Sequence, residues 1–171
     1  MTIYERFGVK PIINAVGVAT RYGGSLMDPE AIEAMKEAAR YSVRLDELQA
    51  AASKVIARKT HAEAGIVTNG TAAALTLATA ACIAGLDVAR MNRLPDTKGM
   101  PNEVIMPWHQ ISGYEHAIRA AGAELIGVGI PNETTPPDEV HIITRWDIET
   151  AITPKHGCHC LCTPPRQPPA T

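Results

Sequence analysis

The sequence has no long basic tract. Its 16 lysines and arginines are interspersed with 18 acidic residues, for a formal charge of −2. Nothing in that pattern would follow a phosphate backbone, so no direct nucleic-acid partner is expected. A tRNA-linked substrate stays open, because separate domains often make such contacts. There is also no apolar run approaching the ~18 residues that a bilayer span requires, and the opening residues mix charged and apolar groups without a secretory core. The expectation is a cytoplasmic chain with no membrane partner, in which the glycosylation match Asn69-Gly70-Thr71 is accidental. Cysteine is scarce, with 4 in all. Cys82 sits in an alanine-rich run and reads as a small buried hydrophobe, whereas Cys158, Cys160 and Cys162 crowd together near the end. That is not the disulfide framework of a secreted domain. Internal repeats, a P-loop and a GxGxxG fingerprint are all missing, which makes a dinucleotide a poor fit.

What is present suits an ordinary globular domain of 171 residues, long enough to bury a core. Asp28-Pro29-Glu30 predicts a helix start, with an N-cap acceptor, proline in the first turn and an acid at the positive end of the dipole. Ile32, Met35, Ala39 and Val43 continue that helix at helical spacing. A second helix is expected over residues 46–59, with Leu48, Ala52, Val55 and Ile56 inward. Residues 64–68 form a short apolar run that suits a strand buried on both faces, followed by a glycine turn and a helix over 72–84 so apolar that it should be buried. Gly85 ends that helix. Residues 90–101 are polar, carry Pro95, Gly99 and Pro101, and read as a loop. Strands are expected at 103–106 and 124–128, a helix at 114–121 closed by Gly122, a turn at 132–138, a strand or lead-in at 140–144, and a short helix from the Thr144 cap through Ile148. This alternation argues for an α/β layer architecture with a mainly parallel sheet.

The strand, glycine turn and buried helix around Gly70 form the most informative local pattern. A glycine that opens a helix leaves backbone N–H groups free at the positive end of the dipole, and Thr71 adds a hydroxyl donor. The small side chains of Ala72, Ala73 and Ala74 allow an anionic group to come close. A phosphate-bearing cofactor is the best physical reading, against the plain alternative of a purely structural turn. His109 follows the strand at 103–106, on the edge where ligands sit in open α/β sheets. It could stack on a flat ring or move protons, although a loop histidine is commonly just hydrogen-bonded. Arg21, in the glycine-rich stretch 17–24, could pair with a carboxylate or phosphate, although such arginines are more often solvated.

As a set, these residues bring a family into view. The runs YERFGVKPIINAVGVATRYGGSLMDPEAIEAM, DELQAAASKVIARKTHAEAGIVTNGTAAALTLATAACIAG, MNRLPDTKGMPNEVIM and YEHAIRAAGAELIGVG span roughly residues 4–155. In this order they resemble the pyridoxal-phosphate-dependent family related to bacterial selenocysteine synthase, with the segments RLPDTKGM and GGSLMDPE closer to its ammonia-lyase branch. The resemblance implies a fold-type-I, aspartate-aminotransferase-like large domain carrying pyridoxal 5'-phosphate in a homodimer. It implies that Asn69, Gly70, Thr71 and Ala72 hold the cofactor phosphate, that His109 lies near the ring, and that Asn14, Thr20 and Arg21 lie near an amino acid or amino sugar acid substrate. One departure is Asn69, where relatives usually carry serine; asparagine also hydrogen-bonds phosphate. The implied reaction is elimination or β-replacement.

The family's Schiff-base lysine and its ring-nitrogen carboxylate lie beyond residue 171, and none of Lys10, Lys36, Lys54, Lys59, Lys98 or Lys155 takes that lysine's place. An N-terminal fragment without catalytic competence is therefore expected, organised as residues 1–60 (loop and helices), 61–155 (part of the cofactor-binding domain) and 156–171. The last stretch, with Cys158, His159, Cys160 and Cys162, has no C-x2-C knuckle for zinc. Back-translated and read one base later, it permits the small and β-branched residues of a buried strand, so a frameshift near His156 is expected. The rival readings are a non-catalytic α/β fragment that binds a partner or intact paralogue through the dimer surface, and a metal-binding regulator that uses the tail.

Overall fold

The structure is a computed structural model and describes residues 2–111, 113–129 and 143–158, without the side chains of 157 and 158. The chain divides into two compact units, Met1–Ala51 and Ala52–Thr171.

The first unit holds short 3-10 turns at Glu5–Phe7 and Thr20–Tyr22, then helix α1 (Pro29–Ala38) and the start of α2 (Leu45–Thr60). Asp28 caps α1 as its sequence predicts: its Oδ1 accepts from the Glu30 amide at 2.8 Å, and Pro29 stands at the first helical position. The helix stops at Ala38, so Val43 lies outside it. No described side chain of this unit is buried. In α2, Ala52 and Ile56 are half-buried as expected, but Leu48 and Val55 are 54% and 48% exposed and do not face inward.

The second unit carries α3 (Thr71–Ala84), α4 (Val88–Arg93), β1 (Glu103–Pro107), α5 (Glu115–Ala120), β2 (Glu124–Val128), α6 (Arg145–Ala151) and β3 (His156–Cys158). Its sheet is parallel, in the order β2-β1-β3. The central strand β1 is buried along its whole length, which explains its unbroken apolar run Val104-Ile105-Met106. The core joins Ile83, Met100, Val104, Met106, Ile118 and Ala123. Each large side chain buried this way contributes about 1.5–3 kcal/mol over exposure. Helix α3 packs on α5 and β3, and α6 packs on β2. The Thr76 hydroxyl crosses from α3 to donate to the Ala117 carbonyl of α5 at 2.8 Å. A mixed α/β fold with a parallel sheet is thus observed.

Four further expectations are corrected. Residues 64–68 pair with no strand among the described residues: Ile66 and Val67 are 60% and 53% exposed, and an apolar run becomes a strand only where a neighbour offers a ladder. Helix α3 is buried on one side alone. Thr79, Ile83 and Ala84 are enclosed, while Leu77 and Cys82 are exposed, because the described elements that pack on α3, namely α4, α5 and β3, leave those two positions uncovered. The loop expected over 90–101 begins with a helix, since Asp87 Oδ1 accepts from the Ala89 and Arg90 amides at 2.9 and 3.2 Å and caps α4. Finally, α6 runs past Ile148 to Ala151.

Residues 132–138 lie outside the described residues, as do 140–142 of the expected lead-in strand. Residues 156–158, placed by expectation in the shifted tail, run parallel to β1 with a register shift between Glu103 and Val104. His159, Cys160 and Cys162 lie outside the described residues. No described helix is long and apolar enough to cross a membrane.

Candidate functional site

The turn before α3 is built by Gly70. Its φ of 131° is a conformation that side chains resist, and a methyl there would meet nothing within 4 Å among the described residues. The turn is therefore open, not filled by its own side chains. The Gly70 carbonyl accepts from the Ala74 amide at 3.1 Å, which starts the helix, and from the Thr68 hydroxyl at 2.9 Å. Among the described residues no side chain caps α3, so the first amides, of Thr71, Ala72 and Ala73, keep their donors for an outside acceptor. Asn69, Gly70, Thr71 and Ala72 are all exposed, and no acid stands in the first turn to occupy or repel an anion. This donor set of amides, a hydroxyl and a carboxamide, with no carboxylate among them, suits phosphate and fits the phosphate end of pyridoxal phosphate.

His109 stands on a 3-10 turn, Trp108–Gln110, directly after the carboxyl end of β1, and is exposed. The turn is closed by the Ile111 amide donating to the Trp108 carbonyl at 3.1 Å. Sequence reasoning missed what fixes it. The indole of Trp108 covers Gly127 of β2, where a methyl would stand 2.5 Å from Cζ2. A glycine inside the run Glu124-Leu125-Ile126-Gly127-Val128 was the available signal of a close approach.

Asn14, Thr20 and Arg21 belong to the first unit, whereas the Gly70 turn and His109 belong to the second. Asn14 organises its own loop: its Nδ2 donates to the Gly17 carbonyl at 2.7 Å, and its Oδ1 accepts from the Val16 amide at 3.0 Å. Thr20 and Arg21 form the 3-10 turn Thr20–Tyr22, which sits inside a bridge between Ala19 and Gly24.

A polar cluster occupies the other end of β1. Glu103 is buried and accepts from the Thr153 hydroxyl at 2.6 Å, with His156 Nδ1 at 3.5 Å. The Thr153 amide donates to that nitrogen at 2.6 Å. These contacts seat β3 beside β1 and face away from the carboxyl edge that carries His109. No group of three or more potential metal ligands occurs among the described residues.

No family model matches the chain. It is 35% identical over 157 residues to D-glucosaminate-6-phosphate ammonia lyase of Salmonella typhimurium (strain 14028s / SGSC 2262), a match covering 90% of this chain and 40% of that protein. It is 34% identical over 147 residues to 5'-C-glycyluridine monooxygenase-decarboxylase of a Streptomyces species, covering 83% of this chain and 37% of that one. The solved structure of D-glucosaminate-6-phosphate ammonia-lyase superposes with a TM-score of 0.83 at 34% identity, covering 93% of this chain and 42% of the other. The chain spans about two fifths of the length of the relatives it matches, and over that span it is homologous, in sequence and in fold, to D-glucosaminate-6-phosphate ammonia lyase.

Proposed function

We propose that the chain is the phosphate-holding part of a pyridoxal-phosphate-dependent lyase or transferase related to selenocysteine synthase, of fold type I and homodimeric. In this reading the whole enzyme carries out elimination or β-replacement on an amino acid or amino sugar acid. The observation that carries the reading is the open Gly70 turn at the start of an uncapped α3. A matched relative that is an ammonia lyase supports it.

Pyridoxal phosphate, when bound, supplies an electron-accepting ring that acidifies the Cα–H of an amino substrate. The chain's own residues do the rest that falls to this portion. The amides of Thr71, Ala72 and Ala73 and the Thr71 hydroxyl hold the phosphate, helped by the helix dipole. Asn69 adds a carboxamide donor. His109 would lie near the ring, and the family resemblance puts Asn14, Thr20 and Arg21 near the substrate's anionic group in the whole enzyme.

Because the second of the two relatives is a monooxygenase-decarboxylase, the matched portion serves binding in this reading, and the reaction type is set elsewhere. The chain alone would hold the cofactor without turnover. Equilibrium dialysis tests the reading: pyridoxal phosphate is retained and inorganic phosphate competes it away. After borohydride reduction, mass spectrometry finds no stoichiometric adduct on any lysine; such an adduct would contradict the expectation that no lysine of residues 1–171 serves as the anchor.

A further inference from the structure

At the carboxyl edge of the sheet, Trp108 is 38% exposed, yet its ring is closely seated on a neighbouring strand. Its indole lies against the backbone of Gly127, and a Cβ at that position would overlap Cε2, Cζ2 and Cδ2 of the ring together. The contact joins two neighbouring parallel strands, because Gly127 is in register with Met106 of β1 and Trp108 follows β1 directly. Beyond the ring the chain makes a single 3-10 turn, Trp108–Gln110, closed by the Ile111 amide. A 3-10 turn has three residues per repeat, so holding the first residue in place sets the direction of the Cα–Cβ bond of the second. That second residue is His109, whose own side chain is exposed.

We infer that Trp108 is a positioning residue for His109: the indole, seated in the notch left by Gly127, sets the direction in which the imidazole is presented at the sheet edge. The inference rests on the cofactor reading only for what His109 meets, a flat aromatic ring, and not for the interlock itself. Gly127 is thereby given a role that a merely permissive strand glycine would not have. Any side chain there expels the indole and releases the turn.

The test reads the orientation of His109 directly. Three-bond HN–Hα couplings of His109, measured by NMR on the full chain and reporting the backbone of the turn that aims its Cα–Cβ bond, should give one helical value in the parent and averaged values in Trp108→Ala and Gly127→Ala. The double variant Trp108→Phe/Gly127→Ala, in which a smaller ring leaves room for the methyl, should return toward the parent value. It also guards against Gly127→Ala failing to fold. A Trp108 that only stabilises the fold would lower the melting temperature in these variants and leave the couplings unchanged, which would overturn the inference. So would averaged couplings in the parent. In parallel, the dissociation constant for pyridoxal phosphate should rise about tenfold in both single variants. If the parent does not bind pyridoxal phosphate while the couplings behave as stated, the cofactor reading fails and the interlock stands.

Discussion

Thr68 and Gly70 are joined by a hydrogen bond in which the Thr68 hydroxyl donates to the Gly70 carbonyl at 2.9 Å. The same carbonyl accepts from the Ala74 amide, so Thr68 ties the incoming chain to the first turn of α3. Thr68→Val keeps the shape of the side chain and removes the donor. A bond of this kind is worth about 1 kcal/mol net, so phosphate and pyridoxal phosphate should bind about fivefold more weakly by equilibrium dialysis. Unchanged affinity would mean that the turn holds its form without Thr68.

Burial separates two isoleucines that hydropathy treats alike. Ile118 is 0% exposed in the core, and Ile66 is 60% exposed. Ile118→Ala should cost about 2–5 kcal/mol in chemical denaturation, because it leaves a cavity. Ile66→Ala should stay within about 0.5 kcal/mol of the parent. A large loss at Ile66 would show that a neighbour covers it in solution.

Gly122 closes α5 at φ 93°, and a methyl there would run into the Pro95 carbonyl and the Thr97 side chain. Its own carbonyl accepts from the Thr97 hydroxyl at 2.8 Å and from Asn102 Nδ2 at 3.2 Å, which anchors the loop after α4. Gly122→Ala should destabilise the chain by more than about 1 kcal/mol, through strain and displacement of that loop. Thermal denaturation followed by circular dichroism reads the loss.

The start of α6 carries a pH dependence. The Thr144 hydroxyl, then its backbone amide, donates to the Asp147 carboxylate at 2.7 and 2.8 Å and holds its pKa below the ordinary 3.8. A lowered carboxylate stabilises the helix start above its ordinary value, and the contribution fades as pH falls through the lowered one. Amide exchange in the first turn of α6 should therefore quicken in acid, and Asp147→Asn should remove most of that dependence. An equal acid response in the variant would place its origin elsewhere.

The capped helix starts at Asp28 and Thr144, the apolar run of β1 and the glycine turn at Gly70 were legible in the sequence, because each depends on neighbours a few residues away. The exposure of Leu77, Ile66 and Val67 was not, because it depends on which elements pack across them. Asp87 was overlooked as a cap because the helix it starts, Val88–Arg93, is short and runs into the polar stretch that follows. In the candidate site, the donors of the Gly70 turn could be read directly. The seat of Trp108 on Gly127 could not, since a glycine within a strand announces a close approach without naming what approaches.

The central claim is that the opening of α3 at Gly70 binds the phosphate of pyridoxal phosphate. Equilibrium dialysis of the cofactor against the parent and Gly70→Val tests it most directly, with far-ultraviolet circular dichroism confirming the fold of both. The account predicts saturable binding to the parent and at least about tenfold weaker binding to the variant. Equal binding by the two, or no binding by a folded parent, would contradict it.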